Sequence, residues 1–206
     1  MVVNHQKLLG TLRMALYSHI TRALIPLVIS EVSEQNYSTL VGLLSDSDMM
    51  DSIAMGMHNA VVCAESWPIT TAADRAQLEQ SYSAKEMLKS WDKICPIWDV
   101  VPAGDNFSIP LENDIPTLLL SGGLDPATPP SWAELAMVNM ANARHLIAPS
   151  ATHNVIAQTC AAKLVRQFVD TLDSESIDAS CLETDNRKPF FMNTNGVVAT
   201  TTGTED

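Results

Sequence analysis

Residues 115–123 read Ile-Pro-Thr-Leu-Leu-Leu-Ser-Gly-Gly, a continuous apolar run that is opened by a proline and closed by two glycines. Strands of a parallel sheet are covered on both faces, so they are apolar throughout instead of alternating between apolar and polar residues. This run therefore predicts a buried strand from Ile115 to Ser121.

The residues after this strand continue with an alternating pattern of strands and helices. Pro129-Pro130-Ser131 indicates a helix start, because proline is tolerated in the first turn. That helix would have an apolar stripe made of Trp132, Leu135, Ala136 and Met140. A second strand is predicted at Ala143–Ala148, followed by a helix from about Cys160 to Leu172. A strand, a helix and a strand at this spacing imply parallel pairing through a right-handed crossover. We therefore predict an α/β fold.

The first half of the chain is predominantly helical in pattern. Apolar residues recur at helical spacing from Leu8 to Leu44, with breaks at Pro26 and Ser33–Ser38, which predicts two or three amphipathic helices. A further helix pair is predicted across Asp74–Trp91. Between these regions, Asn59–Ala64 is short, apolar and β-branched, which favours a buried strand or a buried segment leading into one.

Composition narrows the classes of protein to which the chain can belong. Of its 206 residues 46% are hydrophobic and 17% are charged, and the net charge is −12. Such a chain can bury a core, but it lacks the basic surface that nucleic acids or anionic membranes attract. The longest apolar-looking stretch, Met14–Ile29, is interrupted by polar residues and is shorter than the roughly 20 residues of a bilayer span. We expect no nucleic-acid partner and no membrane span.

Four cysteines occur, at positions 63, 95, 160 and 181, without a C-x-x-C pair or a histidine spaced to complete a zinc site. We therefore expect no metal and no cofactor. The order of the cysteines suggests two local disulfides, Cys63–Cys95 and Cys160–Cys181, each worth about 3 kcal/mol in an oxidising compartment. The alternative is four buried thiols in a cytosolic protein.

Two chemically active residues follow the predicted parallel strands. Asp125 comes shortly after the first strand and His153 shortly after the second. The carboxyl ends of parallel strands lie at one edge of the sheet, where ligands bind in open α/β sheets. A carboxylate there can fix the imidazole tautomer so that the other ring nitrogen acts as a general base. The alternative is an aspartate that caps the turn before Pro126 and a histidine in a surface loop.

These segments resemble a known family. Ile115–Pro130, with Gly-Gly-Leu-Asp-Pro at its centre, resembles the segment that carries the triad acid in α/β-hydrolases of the proline-iminopeptidase and tripeptidyl-aminopeptidase-like group. Asn142–Pro149 followed by His153 is similar to the stretch that carries the triad histidine. Met57–Glu65 and Leu12–Tyr17 resemble the lid region.

The resemblance implies a domain organisation. We expect a partial helical lid at 1–58, a C-terminal α/β-hydrolase segment at 59–183 with further lid-type helices at about 74–91, and a tail at 184–206. It also implies export to the periplasm or the exterior, and it favours the two disulfides above because the family has cysteines at the corresponding places.

The sequence also departs from the family pattern. Thr152 and Asn154 stand where the family usually has glycines, which predicts a more crowded and stiffer histidine loop. None of the eight glycines is followed two residues later by a serine, so the G-x-S-x-G nucleophile elbow is missing. Ser66, Ser121 and Ser150 are weak substitutes because none is predicted on a strand-to-helix elbow. We expect the chain to be the C-terminal part of a serine hydrolase whose nucleophile segment precedes Met1.

The expected activity is cleavage of peptide bonds near a free N-terminus. An aminopeptidase must bind an α-ammonium group, for which Glu65 would supply the opposite charge and Trp67 an apolar wall. The alternative for Glu65 is a solvated acid at the end of a strand, and His58 and His145 are interpreted as structural. Two other functions remain open: an esterase with the same Asp125–His153 pair, and a non-catalytic fragment or binding module. Expected partners are a peptide or small amide or ester substrate and the missing N-terminal part.

Overall fold

The computed structural model describes residues 3–45, 53–185 and 187–197. Two compact units are present: one comprises Met1–Leu9 and Ser45–Ile109, and the other comprises Gly10–Leu44 and Pro110–Asp206. Residues 1–2 and 46–52 of the predicted lid lie outside the described residues, as do 186 and 198–206 of the predicted tail. The boundaries at 58/59 and 183/184 stay predictions.

The described residues form ten α-helices and two β-strands. The helices are α1 His5–Ala15, α2 His19–Arg22, α3 Ile25–Ser33, α4 Ser38–Ser45, α5 Met55–Val61, α6 Ala72–Leu78, α7 Tyr82–Trp98, α8 Pro130–Ala136, α9 Val155–Gln158 and α10 Ala161–Thr171. The strands are β1 Thr117–Gly122 and β2 Ala143–Ala148. A π-helical turn at Val62–Ser66 follows α5, and a 3₁₀ turn lies at Ser180–Glu183.

β1 and β2 pair in parallel, in a register that places Thr117 opposite Ala143 and Gly122 opposite Ala148. The chain between them contains α8, so the strand–helix–strand prediction is confirmed. β1 begins two residues later than predicted because Ile115 and Pro116 precede the ladder, and Ile115 is exposed. This small parallel sheet with its helices is consistent with part of an α/β fold.

One buried cluster of the second unit lies between the sheet and the helices that follow it. Its buried residues come from β2, the following loop, α9, α10 and the segment after α10, and they are Leu146, Ala148, Ala151, Val155, Ala161, Leu164, Ile177 and Leu182. Leu118 and Leu120 of β1 pack against the same cluster. This packing accounts for the apolar residues on one face of β1, and both strands that carry the loops of Asp125 and His153 contact the same cluster.

The apolar stripe expected on α8 does not become core. Within the second unit, Trp132 is 62% exposed and Leu135 is 65% exposed. The helix ends at Ala136, before Met140 can join the stripe. Spacing indicated which face would be apolar, but it could not indicate whether anything would cover that face.

The N-terminal helices differ from the predicted two or three, because four occur in the described residues. Pro26 does not break a helix but lies in the first turn of α3, where it costs no hydrogen bond. Ser18 caps α2 by accepting a hydrogen bond from the Ile20 N–H. Gln35 adopts a left-handed conformation (φ 62°) that separates α3 from α4. Local caps therefore divide the apolar pattern into shorter helices.

The first unit is built around α7. Helix α6 begins with a capping box in which Thr71 and Asp74 bond each other's backbone N–H groups. Helix α7 begins at the Ser81 cap and ends at Asp99, whose φ of 43° is left-handed. The predicted helix pair at Asp74–Trp91 is confirmed, although α7 extends to Trp98.

The strand prediction at Asn59–Ala64 is wrong. These residues form the end of α5 and the start of the π-helical turn. β-branched residues favour a strand only where another strand can pair with them, and in the described residues this segment packs on α7 instead. Cys63 is buried on that side and bonded to Cys95 of α7.

Both predicted disulfides are present, Cys63–Cys95 in the first unit and Cys160–Cys181 in the second. The second bond joins the start of α10 to the 3₁₀ turn that contributes Leu182 to the core. Two such bonds are compatible with an oxidising compartment. No helix among the described residues combines the length and the apolar character that a bilayer crossing requires.

Candidate active site

The loops after β1 and β2 lie side by side at the carboxyl edge of the sheet. Gly123 donates its N–H to the Ala148 carbonyl at 2.9 Å, and Leu124 donates to Ala151 at 3.0 Å. These bonds extend the strand pairing past the ends of both strands. Asp125 and His153 are therefore held in neighbouring loops by the backbone, independently of their own side chains.

Gly122 and Gly123 make this close approach possible. A Cβ at Gly122 would overlap the Thr152 carbonyl oxygen and lie 2.6 Å from that of Ala151. At Gly123 it would lie 2.6 Å from the Pro149 carbonyl oxygen. Any larger residue would have to push the two loops apart, because the obstacles are backbone atoms.

Asp125 is buried and held by its own loop. Its side chain is 3% exposed. Oδ1 accepts the N–H groups of Ala127 at 2.8 Å and Thr128 at 3.0 Å, and Oδ2 accepts the Thr128 hydroxyl at 2.8 Å. Burial acts to raise the pKa of this carboxyl, but the hydrogen bonds from Thr128, Ala127 and His153 outweigh it and hold the pKa below its usual value. Asp125 is therefore ionised at neutral pH.

His153 faces this carboxylate through one ring nitrogen. Nδ1 lies 2.9 Å from Oδ2 and 3.1 Å from Oδ1 of Asp125. An ionised carboxylate only accepts hydrogen bonds, so Nδ1 carries a proton, and in the neutral imidazole the lone pair is on Nε2. Every hydrogen bond that the described residues make to this ring uses Nδ1, and the side chain is 42% exposed. Nε2 is thus able to accept a proton from a group outside these contacts.

The turn-capping alternative and the pairing with histidine turn out to be compatible. Asp125 caps the turn at Pro126 through Oδ1, while Oδ2 carries the shortest contact to His153. Thr128 serves both residues, since its hydroxyl bonds Oδ2 and lies 3.4 Å from Nδ1 of His153. The cap therefore orients the carboxylate toward the imidazole.

The two residues that replace family glycines are accommodated rather than crowded. Thr152 is fully buried, and its N–H donates to Oε1 of Gln158 at 3.0 Å. Its hydroxyl lies 2.8 Å from the Tyr17 carbonyl and 3.0 Å from the same Gln158 oxygen. Asn154 caps α9 by accepting the Ala157 N–H at 3.2 Å. These bonds hold the histidine loop on both sides of His153.

Glu65 and Trp67 belong to the first unit, whereas Asp125 and His153 belong to the second. Glu65 lies in the π-helical turn and is half-buried. The Arg75 guanidinium covers the Trp67 ring at 4.1 Å from its centroid and also bonds Asp92. Trp67 further lines an open pocket of about 400 Å³ whose walls include the Cys63–Cys95 disulfide, Pro68, Pro96, Val100 and Pro102.

Of the three serines considered as substitutes, two are hydrogen-bonded within the second unit and the third belongs to the first unit. Ser121 is buried in β1, where its hydroxyl is 2.9 Å from Nε2 of His145. Ser150 donates to the Thr184 carbonyl at 3.1 Å. Ser66 ends the π-helical turn of the first unit. Among the hydrogen bonds described above, neither that of Ser121 nor that of Ser150 is made to His153.

Sequence reasoning missed three residues that shape the site. Thr128 has a local signal, since a hydroxyl residue three positions after an aspartate is typical of a side-chain-capped turn. Gln158 lies only six residues after Thr152, but no motif marks it as a partner of that residue. Tyr17 has no signal, because its contacts with Thr152 and His153 arise only when distant segments meet.

Residues 80–181 match the model of a protein family described as TAP-like protein, which supports an α/β-hydrolase of TAP-like type. No curated protein and no solved structure shows significant similarity to this chain. The matched range includes both strands, Asp125 and His153.

Proposed function

We propose, starting from the similarity of residues 80–181 to TAP-like α/β-hydrolases, that this chain supplies the acid and the base of a serine hydrolase that cleaves amide bonds near a free N-terminus. Asp125 would be the orienting acid and His153 the general base. The serine nucleophile is proposed to come from polypeptide outside the 206 residues, for which this chain forms the C-terminal portion with part of a helical lid.

The contact between Asp125 and His153 carries this proposal. A buried, ionised carboxylate that holds Nδ1–H and leaves Nε2 open is the arrangement that general-base catalysis by histidine needs. A structural histidine in a surface loop has no need for an acid that three further hydrogen bonds hold in place.

The chemistry follows the logic of a Ser-His-Asp triad. Nε2 of His153 removes the proton from the serine hydroxyl as its oxygen attacks the carbonyl carbon, and Asp125 stabilises the imidazolium that forms. The imidazolium then gives that proton to the leaving amine, which leaves an acyl-enzyme. A water molecule attacks the ester in the same way, with His153 again taking and returning the proton.

Substrate recognition is assigned to the first unit. Glu65 in the π-helical turn is proposed to attract the α-ammonium group. Trp67, which lines the pocket with Pro68 and Pro96, is proposed to contact an apolar side chain. This preference for a cationic N-terminus distinguishes an aminopeptidase from an esterase, because an esterase does not need the Glu65 carboxylate to bind its substrate. The two disulfides support export of the protein to the periplasm or the exterior.

The experiment compares two preparations with a fluorophosphonate probe and aminoacyl-arylamide substrates. The 206-residue chain alone should give neither labelling nor turnover, because no glycine in it begins a G-x-S-x-G elbow. Protein purified from its native source should be labelled and should hydrolyse the arylamide, with lower activity when the substrate amine is acetylated. A native protein that does neither would contradict the proposal.

A non-catalytic binding module is the second candidate, favoured by the same missing elbow. In that case the Asp125–His153 pair would be retained without a serine to activate. Robust labelling of the 206-residue chain itself would exclude this candidate and would also contradict an external nucleophile.

A further inference from the structure

Tyr17 lies in the turn between α1 and α2 and touches the histidine loop of the same unit at two points. Its carbonyl accepts a hydrogen bond from the Thr152 hydroxyl at 2.8 Å. Its ring centroid is 4.9 Å from that of His153, with 65° between the ring planes. Tyr17 therefore contacts both the side chain of the residue before His153 and the imidazole itself.

The backbone contact is built into a buried site. Thr152 is fully buried, and its side chain and N–H are both occupied, by Tyr17 and by Gln158 of α9. The single hydroxyl hydrogen has two acceptors within reach, and the shorter contact, to the Tyr17 carbonyl, links the turn at Tyr17 to the loop. The position of the Tyr17 ring is thereby coupled to the position of Thr152.

The contact between the Tyr17 and His153 rings restrains a tilt of the imidazole that the bonds to Asp125 leave free. Bonds at Nδ1 fix one edge of the imidazole, yet the ring can still tilt about the line from Nδ1 to the carboxylate. A side chain that is 42% exposed has few neighbours to oppose that tilt. Edge-to-face contact between aromatic rings is attractive and directional, so the Tyr17 ring limits it.

We propose that Tyr17 is a positioning residue that sets the direction in which Nε2 of His153 points. This inference rests on the proposed function for its catalytic consequence, but the restraint on the ring can be measured without activity. The aromatic ring performs the role, whereas the hydroxyl is not required. Tyr17→Phe should therefore behave like the wild type, and Tyr17→Leu should not.

The test uses NMR of the 206-residue chain with labelled histidine. Tyr17→Leu should move the ring proton resonances of His153 and broaden them, since the ring loses its aromatic neighbour and samples more orientations. Tyr37→Leu is the matched control, because Tyr37 belongs to the same unit and is 45% exposed. His153 resonances that are unchanged in Tyr17→Leu, or changed equally in Tyr37→Leu, would overturn the inference.

A change in the His153 resonances of Tyr17→Leu could come from unfolding of the protein instead of loss of the ring contact, so a second variant is needed. Thr152→Val removes only the hydroxyl donor, so it should broaden the His153 signals while circular dichroism stays that of the wild type. If Tyr17→Leu unfolds, the inference is tested with Thr152→Val instead. Sharp, unshifted His153 resonances in Thr152→Val would then overturn the inference.

Activity distinguishes this inference from the proposed function. In the native hydrolase, Tyr17→Leu should lower kcat by about 10- to 100-fold with little change in KM, as expected for a misplaced base. Altered His153 resonances in a protein with no hydrolase activity would leave the positioning role in place and refute the proposed function. If the native protein is a hydrolase that requires Asp125 but Tyr17→Leu leaves the His153 resonances unchanged, the positioning role of Tyr17 is refuted and the proposed function is not.

Discussion

Nδ1 of His153 lies 2.9 Å from Oδ2 of Asp125, the same carboxylate oxygen that accepts the Thr128 hydroxyl. The two loops that carry these residues are bonded through their backbones before the side chains meet. The geometry of the pair is therefore a property of the sheet edge, and it can be tested by changes that leave the sheet intact.

Asp125→Asn should reverse the tautomer of His153. The amide oxygen can still accept the N–H groups of Ala127 and Thr128, but the amide NH₂ then meets Nδ1, which must give up its proton and become an acceptor. ¹⁵N NMR should show the proton on Nε2. Hydrolase activity of the native protein should fall by about 10⁴-fold.

Asp114→Asn is the matched control for that substitution, since Asp114 is exposed in the same unit. It should change neither the tautomer nor the activity. An Asp125→Asn protein that keeps its proton on Nδ1 would show that the carboxylate does not set the tautomer.

Thr128→Val should weaken the hold on Asp125. The variant loses the hydroxyl bond to Oδ2, which we expect to cost about 1 kcal/mol in the free energy of unfolding at pH 7. Because hydrogen bonds hold the Asp125 pKa below 3.8, the wild type loses this stability as the pH falls through the folded-state pKa, and Thr128→Val should lose less. Urea unfolding from pH 7 to pH 2.5 measures both effects.

Thr171→Val serves as the comparison for Thr128→Val, because the Thr171 hydroxyl bonds backbone groups at the exposed end of α10, donating to the Gln167 carbonyl and accepting the Asp173 N–H. Equal acid sensitivity in the two variants would mean that the bond to Asp125 contributes nothing specific.

His145 should make the protein less stable below about pH 6.5. Burial lowers the pKa of His145, an effect that Glu134 partly offsets, so the unfolded chain takes up the proton at a higher pH than the folded one. The free energy of unfolding should be level above the ordinary histidine value of 6.5 and should decrease as the pH falls below it. His145→Gln should lose this dependence in urea titrations at pH 7.5 and 5.5, whereas His19→Gln should retain it.

Each disulfide should contribute a similar stability. The bonds close loops with sequence separations of 32 and 21 residues, so removing either by a Cys→Ala pair should lower the free energy of unfolding by about 3 kcal/mol. Thiol titration of the oxidised, denatured chain should detect no free cysteine. Four reactive thiols would remove the argument for export.

The apolar face of α8 should contribute to dye binding by the second unit. Trp132→Ser with Leu135→Gln should reduce binding of a hydrophobic dye and light scattering, while the free energy of unfolding changes by no more than about 0.5 kcal/mol. Leu164→Gln in the buried core is the contrasting variant and should unfold the unit. Unchanged dye binding in the α8 variant would show that this face does not contribute to it.

The sequence was most informative where one physical requirement dominates. β1 was predicted closely because its apolar run is typical of a strand in a parallel sheet, and β2 was predicted with the bounds that it has in the structure. The positions of Asp125 and His153 beside each other follow from the direction of parallel strands. Both disulfides agreed with the simplest pairing along the chain.

The remaining features depend on neighbours that a single segment does not specify. Asn59–Ala64 has the composition of a strand, but its environment in the described chain is α7, so it is helical. The α8 stripe shows the same limit, since its periodicity is correct and its burial is not. Tyr17 could not be found from the sequence because 136 positions separate it from His153.

The contact between Asp125 and His153 depends on the absence of a side chain at Gly122. One methyl group at that position would collide with the peptide of the opposite loop, although it would remove none of the hydrogen-bonding groups of Asp125, Thr128 or His153. Acid and imidazole could thus be disconnected while each remained chemically complete. A mutation that only adds atoms could therefore abolish the contact between the acid and the base.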